Sequence, residues 1–524
     1  MRVLIFHGYL LSGTGSNVYN ARLAEALVRH GHEVHLLSQD RHPQVHGFVA
    51  AVGDWDDGTL RIRDLGRELP AGSGRCVVYR PDIGGLLPVY VADRYEGIRA
   101  RTFAECSDEE IARYIAANVA AVRELHVRVR PEVALANHLV MGPVILARAL
   151  DGRVPYAVKI HGSALEYTVK PQPERFLAPA AEGLAGARGV LVGSHHTAAS
   201  LWQAITQEGL VERTRLGPPG VDIARFAPRD AVSAGAGIGA LVERLRSSDV
   251  RSGAVSAFAR DEHAAAEALA RIQPGRDRLV AFVGKLIVSK GIDLLIAAWP
   301  LVLERVGDAR LVVVGFGAYR EGAERLCAAL GAGDIDQASE IARAGRTLED
   351  GATGAQPLRH LLAFLESLGG PARERYVQAA HSLGERVLFT GRLDHEELAE
   401  LLPACEALVM PSTFPESFGM VAVEAAACGA LPVSAAHSGL ADVSDALARG
   451  VPEQAAAWLS FPIDDGAVAA LASRLVSWLE ADEALRAQTR AGLVSTVRER
   501  WSWDGVARGV IAAAQGELDG LGKP

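Results

Sequence analysis

Two glutamates, Glu416 and Glu424, stand in the stretch "PESFGMVAVEAAACGALPV" (Pro415–Val433) with seven residues between them. The first precedes Ser-Phe-Gly; the second lies inside an apolar, alanine-rich run. The surrounding "LVMPSTFPESFGMVAVEAAACG" reads as strand, loop and a helix from about Phe418 to Cys428. Glu416 then stands before the helix start and Glu424 nearly two turns along it. At a rise of ~1.5 Å per residue the carboxylates are ~10–12 Å apart, too far to share a proton or work as a close acid/base pair. They suit two separate hydroxyl-bearing parts of one long ligand, because a charged acceptor strengthens a hydrogen bond. A buried acid capped by backbone amides is the other reading of Glu424.

Four further constellations carry polar chemistry at strand ends. In "VGKLIVSKGIDLLIAAW" (Val283–Trp299) a strand ends at Gly284, Lys285 follows, and Lys290-Gly291 opens a helix. Two lysines at a helix amino end would neutralise a diphosphate by charge and backbone donors together; a solvated surface pair is the alternative. In "VVVGFGAYREG" (Val312–Gly322), Gly315 and Gly317 follow a strand and let backbone approach a ligand. In "HGYLLSGTGSNVYNARLAEAL" (His7–Leu27), Gly13 and Gly15 sit between a strand and a helix, where free amides bind anions; a plain turn fits equally. Val18 stands where a dinucleotide fingerprint needs its third glycine, which excludes an NAD-type motif. In "AVKIHGSALEY" (Ala157–Tyr167), His161 lies just past a buried strand, either aimed at a ligand or structural. Tyr167, Lys170 and Arg175 follow it and could meet an acidic acceptor, or simply form a solvated helix start.

The elements that must position these residues are short Val/Ile/Leu runs alternating with helical patterns. The runs are Val3–Phe6, Val34–Leu37, Val77–Tyr79, Val133–Ala136, Ala157–Ile160 and Val190–Val192, then Leu279–Val283, Leu311–Val314, Val387–Phe389, Ala407–Met410 and Leu431–Ser434. Continuous rather than alternating apolar runs fit parallel strands buried on both faces. The βαβ rhythm occurs twice, with a break at "GPPGVD" (Gly217–Asp222), where two prolines and two glycines stop helix and strand alike. The expected fold is α/β, with one Rossmann-like doubly wound domain over 1–217 and a second over 218–497, facing a central cleft. The tail, 498–524, predicts a helix anchored by tryptophans that either covers the second domain or crosses back to the first. Residues 228–277 and 331–380 look like helical insertions. Each ends just before a strand, so both are expected at the strands' amino ends, away from ligand, packing on each other or on another subunit. Residues 228–255 are also compatible with disorder.

A chain of 524 residues that is 49% hydrophobic and 22% charged can bury two sizeable cores. Its net charge of −9 argues against nucleic-acid binding, which needs a basic face. Five cysteines without a Cys-x-x-Cys suit a reducing compartment. The apolar run at the start is too short for a signal peptide, and no charge-free run reaches ~18 residues, so a soluble cytoplasmic protein is expected, with peripheral membrane contact left open.

Together the residues resemble retaining glycosyltransferases of the GT-B fold, in the large family four that includes sucrose-phosphate synthases, mannosyltransferases and the N-acetylglucosaminyltransferases of mycothiol-type thiol synthesis. The resemblance rests on Glu416-x7-Glu424 with Phe418-Gly419, on Gly284-Lys285-Leu286 with Lys290-Gly291, on Gly220-Val221-Asp222 followed by Phe226 and Pro228, on His161-Gly162-Ser163, and on the amino-terminal glycine loop. It implies that Glu424 holds the ribose of a nucleotide, that Glu416 meets the donor sugar's hydroxyls, and that amides at Phe418, Gly419 and Met420 face sugar and β-phosphate. Lys285 and Lys290 would hold the diphosphate, although the family often has Arg at the first place, and Lys loses the bidentate fork. His161 would contact the donor sugar near the reacting carbon, Arg392 would flank the nucleobase, and the loop at Gly13 and Gly15 would approach donor phosphate and acceptor. His161, Lys290 and Glu416 are thus the expected catalytic set.

The implied reaction is hexosyl transfer, with retention, from a nucleotide-sugar donor (a UDP-sugar favoured, a GDP-sugar the alternative) to an unknown hydroxyl acceptor. It needs no cofactor and no metal. Asp54-Trp-Asp56 and Asp334-Ile-Asp336 match a loose metal motif, but such short matches arise by chance. A nucleotide-sugar epimerase and an inactive nucleotide-sugar-binding protein are the competing readings. Homo-oligomer formation through the insertions is open.

Overall fold

The computed structural model describes residues 1–90, 98–247, 260–349 and 356–524. They form two compact units, Met1–Gly220 with Trp501–Pro524, and Val221–Arg500. The divisions fall at Gly220/Val221 and Arg500/Trp501, three residues beyond each sequence boundary.

The first unit contains β1 (Arg2–Phe6), α1 (Gly15–Arg29), β2 (Glu33–Leu37), β3 (Val49–Asp56), β4 (Thr59–Asp64), β5 (Arg75–Arg80), β6 (Leu86–Val89), β7 (Arg99–Thr102), β8 (Val133–Asn137), β9 (Tyr156–Lys159), β10 (Gly189–Val192) and β11 (Thr214–Leu216). Nine strands form one sheet in the order β11-β10-β9-β8-β1-β2-β5-β3-β4; β6 and β7 pair separately. All pairs of the large sheet are parallel except β3–β4. Buried residues fill β8, β9 and β10 from end to end, as strands covered on both faces require. The β3–β4 hairpin was not foreseen. Residues in β4 are exposed apart from Leu60, so this edge lacks the apolar run that marks the central strands.

The second unit contains β12 (Arg278–Val283), α2 (Ile292–Arg305), β13 (Ala309–Val314), β14 (Val387–Gly391), β15 (Cys405–Met410), α3 (Met420–Ala427), β16 (Leu431–Ala435) and β17 (Ser460–Phe461). The sheet order is β14-β13-β12-β15-β16-β17, parallel throughout. Counted from β12 this is the doubly wound order 3-2-1-4-5-6, which reverses between β12 and β15. In the first unit the same reversal falls between β1 and β8. Both positions are where open α/β sheets leave a crevice beyond the strands' carboxyl ends.

The last helix, α4 (Trp503–Gln515), belongs to the first unit and packs on α1, β8, β9 and β10. Gly189 is needed there, because a Cβ would stand 2.8 Å from the Ala513 carbonyl oxygen. Trp503 sits edge-on to Tyr19 of α1 and against Gly220, and Asp504 pairs with Arg29 at 2.5 Å.

The insertions are helical where described. Ala231–Arg246 and Glu262–Ala270 pack on each other, the first also on the helix His395–Leu401 and the second on β14. The possible disorder over 228–255 meets a helix as far as Arg246; residues 248–255 lie outside those described. In the second insertion Ile335–Ala344 packs on Arg320–Gly331 and on Arg359–Ser367, and Gly370–Ala380 packs on α2. The expectation that both insertions stay at the strands' amino ends fails for this one. Ile335–Ala344 runs back for ~15 Å at ~1.5 Å per residue, enough to recross a sheet layer. It delivers Glu349 to the loop after β12, where the carboxylate accepts from the Val288 N–H at 2.5 Å. No helix among the described residues is long and apolar enough to cross a membrane.

Candidate active site

In the second unit, Lys285 follows the end of β12, and Val288–Lys290 forms a single 3-10 turn that Gly291 closes. Gly291 has φ 68°, and a Cβ there would stand 2.0 Å from the Pro411 carbonyl oxygen. Only glycine lets this turn touch the loop after β15, which is also fastened by the Thr413 N–H donating to Ser289 O at 2.9 Å. The two loops at the reversal of strand order are thereby locked together, and Lys290 Nζ donates to Glu416 Oε1. Ser412 Oγ donates to the same oxygen at 2.7 Å. Burial alone would raise the Glu416 pKa; the Lys290 charge and hydrogen bond, the Ser412 hydroxyl and the nearby His437 outweigh it and hold the carboxyl below its ordinary range.

Glu416 is fixed through its backbone as well. Its N–H donates to Ser438 Oγ at 2.9 Å, and its carbonyl accepts from Gly439 at 2.8 Å. His437 bonds Ser412 O at 2.8 Å through Nε2. Gly419, at φ 110°, turns the chain into α3; a Cβ there would meet Leu440 at 2.6 Å. Phe418 is buried, and Met420 begins the helix, one residue pair later than expected. A helix start carries backbone N–H groups without intrahelical partners, a ready anion seat.

Glu424 lies within α3, 1% exposed, and His395 Nε2 stands 2.9 Å from its Oε1. Its Oε2 has no hydrogen-bond partner among the described residues. The Ala422–Ala427 run is buried because α3 is pressed between β15 and β16 on one side and the helix Glu483–Arg500 on the other. Small side chains suit that closeness. His395 is backed edge-on by Phe226 at 5.0 Å between ring centroids, so the Phe226 of the linker motif supports Glu424's partner. Arg392 pairs with Asp394 at 2.6 Å. Gly315 gives its N–H to Gly391 O at 2.9 Å, and a Cβ there would stand 2.0 Å from Gly284 O. That glycine is required for the loops after β12 and β13 to touch.

The first unit gathers a different set. His161, just past β9, bonds Asn137 Oδ1 through Nε2 at 2.8 Å. Asn137 donates to Phe6 O and to Asn20 Oδ1 (2.7 Å), and Asn20 donates to His7 Nδ1 (3.1 Å). His7 Nε2 meets Leu10 O at 2.9 Å and Asn17 Oδ1 at 3.0 Å. A carbonyl can only accept, so His7 carries its proton on Nε2; by the same logic Asn137 must accept from His161. Burial lowers the His7 pKa to about 4, against weaker opposing effects from Asn17, Leu10 and Asp40. Burial, then His138, Lys159 and His7, push His161 well below its usual value. Both rings are neutral near pH 7. Gly13 (φ 95°) and Gly15, the first residue of α1, form the turn that brings Asn17 and Asn20 to His7. Tyr19 of α1 braces His161 edge-on at 5.1 Å.

The sequence reading missed His7, Asn20, Asn137, Ser412, His395, His437 and Glu349. A positional signal existed for His7 and Asn137, which flank the carboxyl ends of β1 and β8. Of the weaker acceptor candidates, Lys170 pairs with Glu166 and Arg175 with Asp108 at 2.8 Å. Asp54 binds Arg80 at 2.6 Å, and Asp334 caps the Gln337 N–H. No cluster of three metal-ligating side chains exists among the described residues.

Two family models match the chain. One, described as "Glycosyl transferases group 1", covers residues 268–335 and 367–492; the other, "Glycosyl transferase 4-like domain", covers 14–204. An uncharacterized glycosyltransferase of Methanocaldococcus jannaschii is 25% identical over 247 residues, 47% of each chain. A D-inositol 3-phosphate glycosyltransferase of Segniliparus rotundus is 27% identical over 303 residues, 58% of this chain and 47% of the relative. The chain thus spans about half the length of these curated relatives. The sucrose-phosphate synthase of Thermosynechococcus elongatus shares the fold, with a TM-score of 0.57, 19% identity and 99% of both chains covered. With both sheets, the reversal points and two family matches in agreement, the chain belongs to the group 1 glycosyltransferases of the GT-B fold.

Proposed function

We propose that the protein is a retaining hexosyltransferase that moves a sugar from a nucleotide-diphosphate donor to a hydroxyl acceptor, with a UDP-sugar favoured and a GDP-sugar the alternative. The observation that carries this reading is the Lys290–Glu416–Ser412 cluster at the β12/β15 reversal, beside the start of α3. A cation and helix-start amides seat the diphosphate. Glu416, kept ionised, accepts from sugar hydroxyls. The orphaned Glu424 Oε2 is a buried acceptor suited to a ribose hydroxyl. Arg392 flanks the base, and His161, neutral and fixed by Asn137, serves the donor sugar.

The bond between the anomeric carbon and the diphosphate oxygen breaks while the acceptor oxygen bonds the same face. The acceptor proton passes to the leaving diphosphate. Lys290 and the α3 amides stabilise the charge that develops on that leaving group, a contribution larger in the transition state than in the bound donor. We assign the activity to the cytoplasm, in keeping with five buried, unpaired cysteines.

A thermal-shift screen against UDP-, GDP- and ADP-sugars tests the donor class, with a UDP-sugar expected to stabilise most. No shift with any of them sinks the reading. Proton NMR of the product's anomeric centre then tests retention, and an epimer formed from donor alone, without acceptor, would point to the epimerase instead.

A further inference from the structure

We infer that Glu349 is a positioning residue for the diphosphate turn, supplied by the insertion rather than by the family core; the inference rests on the donor reading above. Residues 336–366 fall between the two segments that the group 1 description matches. Within them, Glu349 Oε1 accepts from the Val288 N–H at 2.5 Å, and its side chain is 12% exposed. Arg346 holds the other oxygen at 3.3 Å, which aims the carboxylate.

Val288 is the first residue of the turn that carries Lys290 to Glu416. The far side of that turn is fastened to the β15 loop through Ser289 and Gly291, and Glu349 fastens the near side. A hydrogen bond to an ionised acceptor is among the stronger kinds, so its loss frees one end of a three-residue turn whose last residue must meet phosphate. The insertion therefore acts through Lys290 without itself supplying a phosphate ligand.

The test is titration calorimetry of the full-length protein with UDP and GDP, taking whichever binds. Glu349→Ala is expected to weaken binding roughly tenfold. Glu349→Gln, whose amide oxygen still accepts from Val288, keeps most of the affinity. Glu340→Ala, exposed on the same insertion, leaves affinity unchanged. In a Lys290→Ala background the Glu349→Ala effect disappears, as coupling through one residue requires. Should Glu349→Ala not fold, Val288→Pro removes the same donor from the other side, and Ile287 already has the extended backbone a following proline requires. Unchanged or tighter binding in Glu349→Ala, an equal loss in Glu340→Ala, or full additivity with Lys290→Ala overturns the assignment while leaving the donor reading intact. A wild-type protein that binds neither nucleotide removes both.

Discussion

The two units meet polar chemistry at the same topological point with opposite electrostatics. At the β1/β8 reversal a chain of neutral groups, His7, Asn20, Asn137 and His161, passes hydrogen bonds in one direction. At the β12/β15 reversal the groups are charged and paired, Lys290 with Glu416, and after β14 of the same sheet Arg392 pairs with Asp394. Neutral rings in a buried network are well placed to read hydroxyls, whose recognition is directional. Ionised groups are suited to an anionic leaving group, where charge matters more than direction. The same reversal of strand order thus supports two kinds of site, and burial without counter-charge is what separates them.

The largest way to break this contrast is Lys290→Ala. It removes the cation and leaves the half-buried Glu416 with Ser412 and the nearby His437. Steady-state kinetics should show kcat lowered roughly 10²–10³-fold with a smaller change in donor affinity, as for other groups that stabilise developing charge. A loss of donor affinity with kcat unchanged would mean that Lys290 contributes ground-state binding only.

The next test separates the units by pH. His7 is lowered to about 4 when folded, so the unfolded chain binds the extra proton first. Its contribution is fully present above the unfolded value of about 6.5 and is lost progressively as pH falls toward 4, amounting to roughly 3 kcal/mol. Glu416, also lowered when folded, contributes above about 4.3 and is lost only below that. Urea unfolding at pH 7.5 and pH 5 should therefore weaken the first unit while sparing the second. His7→Gln should remove only its own share of the pH 5 deficit, because His138 and His161, buried and lowered likewise, keep theirs. A deficit undiminished by the substitution assigns none of the sensitivity to His7.

Glu424→Gln is expected to cost donor affinity roughly tenfold in calorimetry, because the charge that strengthens the bond at Oε2 is gone. No change would make Glu424 a partner for His395 alone.

What the sequence made legible follows from range. Central strands announce themselves as continuous apolar runs, and Lys290-Gly291 announced the start of the Ile292–Arg305 helix. The edge hairpin β3–β4 was not, since its exposed face breaks the run. Glu416, Glu424 and the lysines were legible because each sits in a short motif beside a strand end. The histidine network was not: Asn137 and Asn20 are 117 positions apart, and only the parallel pairing of β1 with β8 brings α1 to the end of β8. Glu349 was less visible still, since an insertion has no motif and its target, Val288, lies 61 residues earlier.

The finest comparison deletes one hydroxyl from each unit. Ser412→Ala removes a donor to an ionised carboxylate, and turnover should fall several-fold, in line with about 1 kcal/mol for such a bond. Tyr19→Phe removes a buried hydroxyl with no partner among the described residues. The ring that braces His161 at 5.1 Å and meets Trp503 at 5.6 Å remains. Stability should stay level or rise by under about 1 kcal/mol, since an unsatisfied buried group is a cost to the folded state, and kcat should not move. If Tyr19→Phe instead slows turnover as Ser412→Ala does, the Tyr19 hydroxyl meets substrate, and the first unit's neutral network extends one residue further along α1 than its hydrogen bonds now show.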